Sequence, residues 1–195
     1  MTAALTGSAA QAAVGAIVVT SKTWLWYLTR STGLVALVLL TATMALGLLS
    51  GVRWEGPSWP RFVTGGLHRS MSALACAVVV VHIVTTLAAG FVPIYIQDAV
   101  LPFGSAYRPL WLGLGAASFD LMLVLIVTSL MRTRISYRAW RALHWTAYLC
   151  WPAAVVHGLG TGTDTPVRWV LLLTLACVAV IAGLLGWRLA YAWPR

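Results

Sequence analysis

The sequence predicts an all-α fold, an integral membrane bundle of five or six transmembrane helices, on three observations. Hydrophobic residues make up 61% of the 195 and charged residues only 9%, and the mean hydropathy is +0.88. A soluble domain of this size carries roughly a quarter of its residues as charges. Apolar runs of about 20 residues, long enough to cross about 30 Å of hydrocarbon, recur along the chain. The cations collect between those runs and form no basic face, so the formal charge of +9 reads as membrane topology and excludes a nucleic-acid partner.

Taken in order, the runs lie at 26–50, 68–91, 109–131, 141–159 and 168–190. Residues 3–20 form a sixth candidate with a weaker drive to insert, because Ala and Gly dominate it and Gln11 interrupts it. The chain thus divides into an N-terminal segment, 1–23, with an optional extra crossing, and a membrane domain, 24–195. No signal peptide is expected, since Lys22, the first cation, follows the weakly apolar stretch instead of preceding it. Cys76, Cys150 and Cys177 fall inside apolar runs without a C-x-x-C pair, which predicts packing residues and neither disulfides nor an iron–sulfur site.

Charge asymmetry orients the bundle. One side receives Lys22, Arg30, Arg108 and Arg168; the other receives Arg53, Arg61, Arg69, Arg132, Arg134, Arg138, Arg141, Arg188 and Arg195. The richer side is the cytoplasmic one by the positive-inside rule. A multi-pass protein of the cell inner or plasma membrane with a cytoplasmic C-terminus follows. Trp24, Trp26, Trp54, Trp59, Trp111, Trp140, Trp169, Trp187 and Trp193 sit near span ends, as an interfacial belt requires.

The chemistry is carried by four histidines confined to two spans: His68 and His82 in one, His144 and His157 in the other. Separations of 14 and 13 residues rise about 21 and 19.5 Å along a helix. The two spans run parallel, so the pairs match in depth: His68 faces His144 near the cytoplasm, and His82 faces His157 toward the outside. Two imidazoles per level are axial ligands for a haem iron, and a six-coordinate iron is suited to electron transfer. Two b-type haems stacked across the bilayer are therefore expected. Thirteen residues leave His144 and His157 about 140° apart on an ideal helix, which demands a distortion. Pro152 between them supplies a means. The competing reading is a haem-free scaffold or transporter whose histidines pack or move protons, although no inverted repeat supports a transporter.

Other residues have paired readings. Arg69 beside His68, and Arg30 near the outer edge of its span, meet haem propionates or snorkel to water. Asp120, central in the third span, relays protons or makes an interhelical hydrogen bond. Arg132, Arg134, Arg138 and Arg141 set topology, contact anionic lipid or dock an acidic donor. Asp164 with Thr163 and Thr165 faces an outer acceptor or merely forms a polar turn. Gly33, Ala36, Gly47, Gly113 and Gly115 permit close approach of a helix or a porphyrin.

The histidine spacing and the runs LHRSMSALACAVVVVH, LPFGSAYRPLWLGLG and AWRALHWTAYLCWPAAVVHGLGTGTDT resemble the ferric reductase-like transmembrane domain. That superfamily includes ferric reductases, the membrane half of NADPH oxidases and the haem subunit of a bacterial periplasmic methionine sulfoxide reductase system. The resemblance covers roughly 24–190. It implies haem-ligand roles for His68, His82, His144 and His157, with electrons entering from the cytoplasm and leaving outward. Many relatives continue into a flavin and nicotinamide domain, whereas this sequence ends at Arg195 without a G-x-G-x-x-G fingerprint. GLGTGTDT follows a helix and reads as an outer loop. A separate flavoprotein or a membrane quinol is the expected donor, and ferric iron, a periplasmic flavoprotein or another oxidant the acceptor.

Overall fold

A computed structural model describes residues 2–51 and 60–192. Arg53, Trp54, Glu55, Trp59, Trp193 and Arg195 lie outside the described residues. The order is α1 (Thr2–Gly51), α2 (Arg61–Ala89), α3 (Ile96–Val100), α4 (Pro109–Leu130), α5 (Tyr137–His144), α6 (Ala147–Thr161) and α7 (Arg168–Ala192), with no strand among the described residues. Within these helices, Lys22–Gly51, Phe62–Ala89, Pro109–Leu130 and Arg168–Ala190 are each long and apolar enough to cross a bilayer. The chain is a multi-pass helical membrane protein.

The optional crossing at residues 3–20 takes a different form from the one expected. It continues without a turn into the rest of α1, so it does not fold back as an independent antiparallel span. The junction holds no helix breaker, and Thr23 Oγ1 donates to the Val19 carbonyl at 2.9 Å across it. At about 1.5 Å per residue, the 50 residues of α1 outrun any bilayer core, and among the described residues Lys22–Gly51 is long and apolar enough to cross one.

The fourth expected span, 141–159, is built from two helices. Ser136 caps α5 by accepting from the Ala139 amide at 3.2 Å, and α5 closes at His144. Trp145 and Thr146 then join it to α6. Amide bonds there reach back three residues: Thr146 to Leu143 at 3.0 Å, Tyr148 to Trp145 at 3.1 Å, Leu149 to Thr146 at 2.9 Å. Such 3₁₀-type turns advance about 120° per residue instead of about 100°. Roughly five tightened residues add about 100° and remove most of the misalignment between His144 and His157. The distortion that the spacing demands thus lies at 145–149, one turn before Pro152, which α6 carries in its interior. Pro152 has no N–H to offer the Tyr148 carbonyl.

Connections are defined by backbone chemistry. Gly90 ends α2 in the left-handed region, at φ 60°, where glycine suffers no Cβ clash. In the α2–α4 connection, Asp98 Oδ2 accepts from the Tyr95 amide at 2.8 Å. Pro109 starts α4 at the first helical position, where its missing N–H is harmless.

Packing is inverted relative to a soluble protein. Phe62, Val84, Leu130, Leu149, Leu172 and Leu189 are exposed, whereas Thr41, Thr64, Thr85, Ser118 and Thr174 are buried among small residues. Membrane helices associate through small side chains and hydrogen bonds because lipid tails already solvate Leu and Val. α1 packs on α2, α4 on α6, and α1 also on α7 and α6. Met44, Leu48 and Ile181 form a core cluster with Tyr148 and Trp151 against it. Interhelical bonds tie the bundle: Trp151 Nε1 donates to Thr41 Oγ1 at 3.0 Å, Ser118 Oγ to the Cys150 carbonyl at 2.9 Å and Arg188 to the Tyr148 hydroxyl at 2.6 Å. The cysteines are free, Cys150 and Cys177 buried, in keeping with packing roles.

Candidate functional site

The four histidines meet as two couples. The ring centroids of His68 and His144 are 6.2 Å apart, and those of His82 and His157 are 6.5 Å apart. His68 and His82 lie on the unbroken α2, so the couples are separated by about 21 Å along it. The segment from His144 to His157 spans the same height, which makes α5 and α6 together a fifth traverse of the bundle.

Hydrogen bonding defines which ring nitrogen is free. His68 Nδ1 lies 3.0 Å from the Thr43 carbonyl, His82 Nδ1 2.9 Å from the Thr29 carbonyl and His157 Nδ1 2.9 Å from the Trp111 carbonyl. A carbonyl only accepts, so each Nδ1 carries the proton and each Nε2 keeps its lone pair. That is the usual arrangement of a metal-bound imidazole with its orienting partner.

His144 differs. Its ring stacks on Trp140, centroids 4.9 Å apart and planes at 21°. Its Nδ1 is buried without a hydrogen-bond partner, as is Trp140 Nε1. Trp140 therefore belongs to the site and not simply to an interfacial belt. Trp111 likewise contributes its carbonyl, and a Cβ on Gly160 would collide with its indole.

These residues fit a haem. Two metal–imidazole bonds of about 2 Å, plus the distance of about 1.1 Å from nitrogen to ring centre on each side, place collinear centroids about 6.2 Å apart. Both couples lie within a few tenths of an ångström of that value. Among the described residues no group of three or more His, Cys, Asp or Glu gathers to hold a metal ion. Two imidazoles on opposite sides suit a macrocycle that provides the remaining in-plane donors.

Next to His82 and His157 lies a cavity of about 340 Å³, lined by apolar side chains of α1, α2, α4 and α6 and also by Arg30, Asp98 and Asp164. Such volume and lining are those of a small-molecule or cofactor site. Arg30 forms an ion pair with Asp164, and its guanidinium lies 3.9 Å from the Trp26 ring centroid. Asp164 thus turns inward onto α1 and does not stand free in an outer turn. Thr163 and Thr165 line the same cavity.

The other candidates are more dispersed. Arg69 is exposed on α2 beside His68. Asp120 is half-buried on α4, and its neighbour Phe119 lines the cavity in its place. Arg132, Arg134, Arg138 and Arg141 are all exposed around the α4–α5 turn, just before His144. The backbone acceptors at Thr29, Thr43 and Trp111 have no side-chain signature and could not be picked out from residue types.

A family model described as ferric reductase like transmembrane component matches residues 32–160, about two thirds of the chain and a stretch holding all four histidines. No curated protein and no solved structure matches.

Proposed function

Because the chain belongs to the ferric reductase-like transmembrane family, we propose that it is a two-haem b-type cytochrome that conducts electrons across the membrane. Electrons enter from a cytoplasmic flavoprotein or a membrane quinol and leave to an acceptor on the outer face. The observation that carries this reading is the pair of histidine couples with centroid separations of 6.2 and 6.5 Å.

Each haem would supply one-electron redox chemistry at its iron. The chain's own residues do the rest. His68 with His144, and His82 with His157, would each hold one haem through their imidazoles. The carbonyls of Thr29, Thr43 and Trp111 hold three of the rings in the ligating tautomer. Arg30, ion-paired with Asp164, lines the cavity beside His82 and His157, where its remaining N–H groups would donate to a haem propionate. Arg69 takes the corresponding part beside His68. Residues 24–195 form the electron-conducting domain, and the arginines at 132–141 mark the cytoplasmic side.

A redox difference spectrum of the purified protein, with haem counted per chain, tests the proposal. Two haems with bis-imidazole spectra are expected, and His68→Ala or His157→Ala should each remove about one. A folded, porphyrin-supplied preparation that stays colourless would refute it.

A further inference from the structure

Three of the four imidazoles are seated by one repeated device. A helical side chain leans toward the helix N-terminus, so the residue at i+4 covers the carbonyl oxygen of residue i. Where that residue is glycine, the oxygen's second lone pair is open to a neighbouring helix. His68 reaches the Thr43 carbonyl, and the residue four positions on is Gly47. His82 reaches Thr29, followed at the same interval by Gly33. His157 reaches Trp111, followed by Gly115.

The rings lie in the notches left by the missing side chains. A Cβ on Gly115 would sit 2.5 Å from His157 Nδ1 and 2.6 Å from Cε1. On Gly33 it would sit 3.1 Å from His82 Cε1 and 3.3 Å from Nδ1; on Gly47, 3.4 and 3.6 Å from the same atoms of His68. The first distance is impossible without moving the ring, the second needs a small shift, and the third is ordinary contact. On α1 the device occurs twice, as Thr-x-x-x-Gly, 14 residues apart, the same interval that separates the histidines on antiparallel α2. The hydroxyls of both Thr29 and Thr43 are buried without a hydrogen-bond partner, so the two repeats agree in this detail as well.

We propose that Gly33, Gly47 and Gly115 are positioning residues: each uncovers the carbonyl four residues before it, and that carbonyl fixes the tautomer and angle at which a histidine faces the metal. The proposal rests on the haem reading above. Loss of a partner that orients a metal-bound histidine lowers metal affinity by about 10- to 100-fold, and the steric gradient ranks the three positions. Alanine is the better helix former, so these substitutions do not by themselves threaten α1 or α4.

The experiment is to purify the full-length Gly115→Ala, Gly33→Ala and Gly47→Ala proteins, with Gly183→Ala as control because open space surrounds that position. Haem content, the ferric low-spin resonance signature and both midpoint potentials are read for each. Gly115→Ala is expected to lose the His82–His157 haem or convert it to high spin, sparing the other. Gly33→Ala should keep that haem with a displaced signature and potential, Gly47→Ala should change least and only at the His68–His144 haem, and Gly183→Ala should match the parent. A parent-like Gly115→Ala protein, or equal damage from Gly183→Ala, would overturn the proposal. If Gly115→Ala does not accumulate, the comparison of Gly33→Ala with Gly47→Ala decides, and equal or reversed effects count against it. A parent lacking haem refutes the haem reading itself, whereas an intact two-haem parent with indifferent alanine variants refutes only the positioning.

Discussion

The two histidine couples are nearly equal in ring separation and unequal in support. In the His82–His157 couple both Nδ1 atoms are bonded to backbone carbonyls, and a cavity with an arginine and an aspartate lies alongside. In the His68–His144 couple only His68 is so bonded. His144 ends a short helix, rests on Trp140, and leaves two buried donors unmatched. A similar ring separation is therefore reached with both rings anchored and with only one, which we call the rigid and the pliable couple. The difference traces to the chain: α1 and α4 offer glycine notches to three rings, whereas His144 sits where the helix tightens into a 3₁₀ turn.

This contrast can be broken or sharpened by experiment. The largest effect expected is in haem retention: transfer to a haem-scavenging apoprotein should be biphasic, with the His68–His144 haem leaving at least about 10-fold faster. Equal rates would show that the carbonyl anchors are immaterial. Next, His144→Ala should empty only the pliable site and His82→Ala only the rigid one, each halving the haem count. Loss of both haems from either change would mean that the couples do not act separately.

A smaller effect is expected at the Arg30–Asp164 pair, which is partly exposed. Arg30→Gln should destabilise the loaded protein by about 1 kcal/mol, and the Arg30→Gln/Asp164→Asn double variant should cost less than the two single changes added together. A thermal-unfolding series checks this, and strict additivity would rule out coupling. The smallest effect is Trp140→Phe. It keeps an aromatic ring on His144 and removes an unmatched donor, so stability should be unchanged or gain up to about 1 kcal/mol, with a spectral shift confined to the His68–His144 haem. A clear loss of stability would reveal a partner for Trp140 Nε1.

Much of this was legible in the residues, and the reasons are local. Hydropathy and helix rise depend on the identity and count of neighbours along the chain. The crossings at 26–50, 68–91, 109–131 and 168–190 therefore survive in the structure with shifts of a few residues, and the two histidine pairings follow from depth alone. The spacing of 13 residues even announced that one helix had to be distorted. Pro152 drew attention to the right helix, but the tightening falls at 145–149, where no single residue type advertises it. Composition left the crossing at 3–20 open, because it measures the drive to insert and says nothing of whether the helix turns back; in the structure these residues continue into α1.

Sequence by itself determined that this is a membrane bundle carrying two levels of paired imidazoles, since each of those facts is a sum over nearby residues. Tertiary structure alone decided which nitrogen is free in the rings of His68, His82 and His157, which glycines make room for those rings, that Asp164 claims Arg30, and that Trp140 lies against His144. Those outcomes depend on backbone carbonyls, identical in every residue, and on partners up to 134 positions away, and no local pattern encodes either.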